Sequence, residues 1–330
     1  VTPSTAVDSL TLQDRSILIS GGTGTFGRAF ARRALSQGAS RVVIFSRSEA
    51  KQAAMRAEFN DPRLRWFIGD VRDARRVSEA CRGVEFMIHA AALKRIETCE
   101  QDPDEAVATN VFGTQNVARA CIDRGVRRAV LLSTDKAAAP NTLYGMTKGA
   151  AERLWVNSNV YAAGTQTRFS ATRYGNVLGS TGSVVELWRR QTENGERLTV
   201  TDFEMTRFWM TIAQATRLVS LALNRMRGGE IFIPKVGASS LLDLCCAISP
   251  KVATHRVGLR RGEKMHETLI AEDEAEYAYD HGDHFRIEPE RSWDGSLGPE
   301  AGVKLVRGSV YRSDSSPHRL SIAELREMAA

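Results

Sequence analysis

Ser16–Ser20 is a short apolar run that leads straight into Gly21-Gly22-Thr23-Gly24-Thr25-Phe26-Gly27. Glycines at 21, 24 and 27 behind a strand and ahead of a helical pattern over 25–37 leave few folds open. Gly21 allows a tight turn, Gly24 lets backbone approach a pyrophosphate, and Gly27 lets the helix pack closely. The N–H groups at the helix start offer positive potential to phosphate. Thr23, Thr25 and Phe26 complete this loop as candidate cofactor contacts. The alternative, a glycine-rich turn without a ligand, fits poorly with the strand–turn–helix setting.

Further apolar runs follow at 41–45, 64–68, 86–90 and 129–132, with amphipathic stretches such as 104–124 between them. Strand–helix alternation predicts an α/β chain: a Rossmann-like, doubly wound parallel sheet with helices on both faces. A long helix is expected over 144–162, and a strand over 169–173. Beyond 179 the alternation loosens, which predicts a smaller C-terminal substrate-binding domain. The expected division is 1–178 plus 206–236 for the cofactor domain, and 179–205 plus 237–330 for the substrate-binding domain. Residues 280–317, rich in Gly, Pro, Ser and charge, read as loop. Ser321 with Glu324 three residues on reads as a helix start.

Composition excludes several classes. The 330 residues are 42% hydrophobic and 25% charged, as in ordinary globular chains. The net charge of +6 is spread along the chain without a dense basic run, so an anionic small substrate fits better than nucleic acid. Five cysteines, two of them adjacent and none in a CxxC spacing, read as reduced packing residues and imply a cytoplasmic setting. Residues 1–15 are polar and carry no signal-peptide core, and no run is long enough to span a bilayer. Asp280-His281-Gly282-Asp283-His284 has metal-ligand types, but its polar, glycine-containing setting reads as a solvated loop, and no metal is expected.

The second strand ends Phe45-Ser46-Arg47-Ser48, where a carboxylate would bind an NAD ribose. A guanidinium and hydroxyls suit a 2′-phosphate, which predicts NADP; the bland alternative is that Arg47 is a solvated charge.

Tyr144-Gly145-Met146-Thr147-Lys148 places a phenol and an amine on one helix face. A nearby Lys148 ammonium would lower the phenol pKa, so that the pair deprotonates a hydroxyl during hydride transfer. Asn110 sits on the preceding helix as a structural asparagine or a simple backbone partner. Ser133-Thr134-Asp135-Lys136 closes the strand before Tyr144. Hydride transfer needs only Ser133 or Thr134 with Tyr144 and Lys148. An added acid and amine suggest more, or else a surface salt bridge. Oxidising C4 of a hexose acidifies the C5 proton and sets up loss of the C6 hydroxyl. A base and an acid are then needed, which requires a neutral Lys136 and a protonated Asp135.

With these motifs on the page, the sequence resembles the inverting UDP-N-acetylglucosamine 4,6-dehydratases of the extended short-chain dehydrogenase/reductase superfamily, over nearly its whole length. The matching segments include Phe67-Ile68-Gly69-Asp70-Val71, His89-Ala90-Ala91-Ala92-Leu93-Lys94, Arg173-Tyr174-Gly175-Asn176-Val177, Met205-Thr206-Arg207-Phe208-Trp209 and Gly262-Glu263-Lys264-Met265-His266-Glu267. The resemblance implies a UDP-linked amino sugar as substrate. Ser46, Arg47, Lys51, Asp70, Val71, Ala90, Ala91, Ala92, Lys94 and Asn110, with Tyr144 and Lys148, would serve the cofactor. Lys94, Met146, Asn176, Ser180, Val184, Thr201, Arg207, Trp209, Arg260 and Glu263 would meet the substrate. It implies that Tyr144 deprotonates the 4-hydroxyl, Lys136 removes the C5 proton and Asp135 protonates the departing oxygen. By analogy, the helices over 104–124 and 144–162 would pair in a homo-oligomer.

Three positions depart from the family pattern: Met146 stands for Ala, Glu186 for Pro and Arg261 for Pro. Trp209 and Phe208 read either as core or as a platform for uracil, and Arg207 and Arg260 either as surface charge or as a diphosphate clamp. The rival enzyme reading is a nucleotide-sugar epimerase or a combined dehydratase and C5 epimerase. The non-enzymatic rival, an NADP-sensing regulator, fits poorly with retention of both Tyr144 and Lys148.

Overall fold

The computed structural model describes residues 12–250, 252–290 and 302–329. Most of the polar start, and 291–301 of the expected C-terminal loop, lie outside them. The main sheet has ten strands among the described residues. These are β1 (Ser16–Ser20), β2 (Arg41–Ser46), β3 (Leu64–Ile68), β4 (Phe86–His89), β5 (Arg128–Thr134), β6 (Arg168–Tyr174), β7 (Ile231–Pro234), β8 (Ala278–Asp280), β9 (His284–Ile287) and β10 (Val303–Lys304). Their spatial order is β10-β8-β9-β7-β6-β5-β4-β1-β2-β3. The seven strands β1–β7 are parallel, and β8–β10 join antiparallel at one edge. The order reverses beside β1, so the crevice at the strand ends between β1 and β4 is the natural ligand position of a Rossmann-like sheet.

The central parallel strands are buried on both faces, and β1 and β4 have no exposed position, whereas the edge strand β3 exposes Arg65 and Ile68. A large apolar core gathers Ile17, Phe30, Ile44, Val130, Trp155 and Phe232. A second core, around Trp188, Leu198, Met205, Trp209 and Leu244, lies under the helices Val184–Glu193 and Leu241–Ile248. The expected division at 237 is not where packing divides. Leu269, Ile270, Ala278 and Ile287 belong to the large core, and β8–β10 extend the large sheet. The solvated-loop reading of 280–284 is corrected with it. His284 is buried in β9, its Nδ1–H donates to the Asp283 carboxylate at 2.7 Å, and it stacks on Phe232.

Two sequence elements are also shorter or more broken than the pattern suggests. The helix Leu143–Asn157 stops well before 162, because Asn159 turns back to bond Phe169 at the start of β6. The segment 104–124 is interrupted by a π-type turn at Ala108–Phe112, a local widening common near functional sites.

Candidate active site

The glycine loop makes one wall of a cleft of about 1070 Å³. Gly21 has φ +67°, and a Cβ there would lie 2.9 Å from the Ala90 carbonyl. Gly27 presses on the backbone of Gly22, where a Cβ would come within 2.5 Å. Thr23, Gly24, Thr25 and Phe26 line the cleft, as do Ser46, Arg47, Lys51, Asp70, Val71, Ala90, Ala91, Ala92 and Lys94. Arg47 is exposed, with its guanidinium 3.6 Å from Asp70. Burial pushes Asp70 up, but hydrogen bonds from Arg72 outweigh it and hold the carboxyl below its ordinary range.

The loop after β4 is pinned from beneath. Ser20 Oγ accepts from the Ala90 and Ala91 N–H groups at 3.2 and 3.3 Å, and so gives its own proton to His89 Nδ1 at 2.6 Å. Thr114 donates to the Asn110 carbonyl at 2.6 Å, which leaves its oxygen to accept from His89 Nε2 at 3.0 Å. One neutral tautomer satisfies both contacts. Burial, helped by the nearby Lys148 charge, lowers the imidazole to about 3 and keeps it neutral.

Asn110 is buried and does not line the cleft. Its amide bonds Leu93 N at 2.8 Å, Leu93 O at 3.0 Å and Thr147 Oγ1 at 3.1 Å. It holds the loop wall to the helix Leu143–Asn157 rather than touching a ligand. Three buried hydroxyls that do line the cleft, Thr109, Ser133 and Ser183, have no hydrogen-bond partner within the protein. Such orphaned groups call for a polar partner from outside the chain.

Tyr144 and Lys148 share one face of their helix and both line the cleft. Lys148 donates to the Leu132 carbonyl at 2.8 Å, and burial lowers it to about 8. Burial pushes Tyr144 up to about 12, and the opposing pull comes from the Lys136 charge and a Thr134 hydrogen bond.

Thr134 ends β5, and Asp135–Ala137 turns immediately afterwards. Thr134 donates to Asp135 Oδ1 at 2.9 Å, and Lys136 Nζ donates to the same oxygen at 3.0 Å. Lys136 Nζ also lies 3.1 Å from Glu267 Oε1. Asp135 is wholly buried and its Oδ2 has no partner within the protein. It lies behind the cleft wall, whereas Thr134, Lys136 and Glu267 line it. Burial and the Glu267 charge raise Asp135 despite Lys136, in the direction expected. Lys136 goes the other way. Burial would lower it, but Asp135 and Glu267 together hold it above its ordinary value, so a desolvated, neutral lysine is not what the resting geometry favours.

On the substrate side, Asn176, Ser180, Val184, Arg207, Trp209, Arg260 and Glu263 line the cleft. Arg207 donates to the Thr206 and Met265 carbonyls, and Arg260 pairs with Glu97 at 2.6 Å. Trp209 is buried, and its indole donates to Ser239 at 2.9 Å. Two expected substrate residues are not in the cleft. Met146 is 52% exposed: two positions from both Tyr144 and Lys148 on a helix, it points away from their face. Thr201 also lies off the lining, its carbonyl bonded to Gly258 N. Glu267 and Thr181 were not singled out as site residues. Glu267 closes the Gly262–Glu267 motif, but nothing local in the sequence ties it to Lys136. Thr181 ties the wall together, meeting Thr25 Oγ1 at 3.0 Å and accepting from Lys94 Nζ at 2.9 Å.

Comparison with known proteins places this geometry. Residues 17–289 match the family described as polysaccharide biosynthesis protein. The chain is 42% identical over 323 residues to a Campylobacter jejuni protein named UDP-N-acetylglucosamine 4,6-dehydratase (inverting), covering 95% of this chain and 97% of that one. It is 40% identical to a Rickettsia rickettsii protein named UDP-glucose 4-epimerase, covering 96% and 95%. The X-ray structure of Pen from Bacillus thuringiensis superposes with a TM-score of 0.89 at 37% identity, over 96% of this chain and 97% of that one. The fold is shared more distantly with DesIV, a dTDP-glucose 4,6-dehydratase from Streptomyces venezuelae solved with NAD and TYD bound (TM-score 0.69, 24% identity, 76% and 86% covered). A match spanning most of the chain, together with relatives aligned end to end, makes this chain a member of the polysaccharide biosynthesis protein family.

Proposed function

We propose that this protein is a hydro-lyase that dehydrates UDP-N-acetylglucosamine to a UDP-4-keto-6-deoxy amino sugar with inversion at C5. The observation that carries the reading is the Asp135–Lys136 pair, 3.0 Å apart, with Lys136 on the cleft wall beside Tyr144 and Asp135 directly behind it. Removing a proton from C5 while expelling the C6 hydroxyl requires a base and an acid that exchange protons, and this pair has both.

The cleft fits a nicotinamide dinucleotide. The glycine cradle admits no Cβ at Gly21, and the orphaned Ser133 and Thr109 hydroxyls offer bonds to a polar ring substituent. Bound there, the cofactor supplies storage of one hydride, taken from C4 and returned at C6, with no net redox. Ser46, Arg47 and Lys51 around the end of β2 favour NADP over NAD, since β2 itself ends without an acid and the nearby Asp70 is held by Arg72 and Arg47.

Tyr144 takes the proton of the 4-hydroxyl. Lys136, after passing its own proton to Asp135, removes the C5 proton next to the new carbonyl. Asp135 returns a proton to the departing oxygen. Because Asp135 is walled off, the Thr134 hydroxyl that bonds it carries that proton to the cleft, giving one to O6 as it takes one from Asp135. Water leaves, C5 is reprotonated on the opposite face by a solvent-derived proton, and Tyr144 gives the 4-hydroxyl's proton back to solvent, which closes the balance. Arg207, Arg260, Asn176 and Ser180 hold the nucleotide sugar.

Tyr144 and Lys148 alone suffice for the epimerase reading that the Rickettsia relative's name suggests. Product mass distinguishes the two: incubation with UDP-N-acetylglucosamine yields a product lighter by one water, whereas a product of unchanged mass supports the epimerase.

A further inference from the structure

The charge cluster around Lys136 has a third member that the dehydration cycle leaves unused. Glu267 comes from the far half of the chain, just ahead of the short strand Thr268–Ile270. Its backbone is held at both ends of one residue: its N–H donates to Ser313 Oγ at 2.9 Å, and its carbonyl accepts from Ser313 N at 2.8 Å. Ser313 is itself tied to Thr206, at 2.7 Å between hydroxyls. A buried carboxylate is thereby placed 3.1 Å from Lys136 Nζ, on the cleft wall. Its other oxygen, Oε2, is buried without a hydrogen bond, with Lys264 Nζ 3.9 Å away. Burying a carboxylate in this way is costly unless its charge is used.

We propose that Glu267 is the positioning residue of the dehydration step: it aims Lys136 at C5 and stabilises the ammonium that forms as Lys136 accepts the C5 proton. The proton balance is closed. Before the step, Lys136 is an amine and Asp135 an acid. Afterwards, Lys136 is an ammonium between two carboxylates, Asp135 and Glu267, the proton of Asp135 having gone to O6. A fixed negative charge 3.1 Å from Lys136 Nζ favours the second state over the first; because it also favours the ammonium in which Lys136 rests, its gain to the cycle lies in aiming the amine and in the step of C5 proton removal itself, as an orienting carboxylate acts on a catalytic imidazole. The charged groups facing Lys136 are Asp135 from its own turn, Glu267, Arg207 and Lys264 from the second half, and the Tyr144 phenol from the helix Leu143–Asn157. Arg207 and Lys264 moderate the effect of Glu267 without contacting Asp135.

This inference rests on the dehydratase reading, and the test separates the two. The comparison is of wild type with Glu267→Gln and Glu267→Asp, each loaded with NADP and given UDP-N-acetylglucosamine. Glu267→Gln is expected to lower kcat for water loss by roughly 10–100-fold, part of the acid–base contribution, with KM little changed. Reduced nicotinamide should accumulate in the near-ultraviolet, because oxidation at C4 outruns proton removal at C5. The alkaline limb of its pH–rate profile should move to lower pH, since the pair loses its extra proton more readily without a neighbouring anion. Glu267→Asp should recover part of the rate, with the limb near its wild-type position. If Glu267→Gln is folded by its melting curve yet keeps the wild-type rate and alkaline limb, the inference is overturned. A Glu267→Gln rate loss with no shift of the limb and no reduced cofactor assigns Glu267 a packing role only and overturns it too. If wild type itself releases no water, the dehydratase reading fails instead.

Discussion

Lys136 donates to Asp135 Oδ1 at 3.0 Å, yet of the two only Lys136 reaches the cleft. The acid of the pair is screened by the Thr134 hydroxyl, which bonds the same oxygen at 2.9 Å. Thr134→Val therefore keeps the volume but cuts the route by which Asp135 exchanges protons with substrate. The account predicts a kcat for water loss reduced about 10²-fold, within the range for positioned acid–base groups. Thr134→Ser should restore most of it. The check is steady-state product formation by mass spectrometry.

Lys136→Met should abolish water loss while leaving slow C4 oxidation measurable as reduced nicotinamide. That residual oxidation should also need a higher pH than in wild type. The phenol of Tyr144 is pushed up to about 12 by burial, and the Lys136 charge is the larger of the pulls that oppose it, ahead of the Thr134 hydrogen bond. With a neutral Met in place of the ammonium, the pKa rises further, so the limb moves to the alkaline side. The measurement is the pH dependence of single-turnover oxidation in the variant.

Lys148 is buried, and its pKa of about 8 lies below the ordinary 10.5. The unfolded chain therefore binds more protons than the folded one between about pH 8 and 10.5, and stability rises with pH across that window. Below pH 8 the full penalty remains. Lys148→Met removes it, less the cost of freeing the Leu132 carbonyl. Net stabilisation at pH 7 is expected to be about 1–2 kcal/mol, with activity lost. Urea unfolding of both proteins at pH 7 and pH 10 gives the result: the gain should shrink at pH 10.

Asn110 satisfies Leu93 N, Leu93 O and Thr147 Oγ1 together. Asn110→Ala strands the Leu93 amide and carbonyl beside the cleft. A destabilisation of about 2–4 kcal/mol follows, with weaker cofactor binding through the displaced loop. Thermal unfolding with and without NADP distinguishes this from a direct ligand contact: the melting temperature should fall in both conditions.

Arg47 stands exposed at the end of β2, near Asp70. Arg47→Ala should weaken NADP binding about tenfold and leave NAD almost unchanged, because a single exposed charge-assisted contact contributes little more than 1 kcal/mol. Fluorescence titration with both dinucleotides provides the comparison.

Much of this was legible in the chain. The strands β1, β2, β4 and β5 are buried on nearly every position and read as apolar runs bounded by helices, whereas β3 at the sheet edge has one buried residue and β6 buries polar side chains such as Thr172 and Arg173. Tyr144 and Lys148 are four residues apart, and helix periodicity alone puts them together. Met146 was readable by the same rule: two residues off that face, it points to solvent. The strands β8–β10 were missed because they are two to four residues long and carry charges such as Asp280 and Arg286, whose side chains are paired rather than solvated. Glu267 was missed as a partner of Lys136 for a different reason. The two lie far apart in sequence, and local pattern does not report which distant carboxylate the fold brings to an ammonium. That contact, together with the adjacent Asp135, holds Lys136 charged, and the Glu267 share of the shift was out of reach of the local pattern.

The central claim is most directly tested by incubating the NADP-loaded protein with UDP-N-acetylglucosamine in deuterated water and following the sugar by proton NMR and mass spectrometry. The account predicts loss of one water, one deuterium at C5 and ring couplings of the inverted configuration. A product that keeps its water and its C5 proton would contradict it.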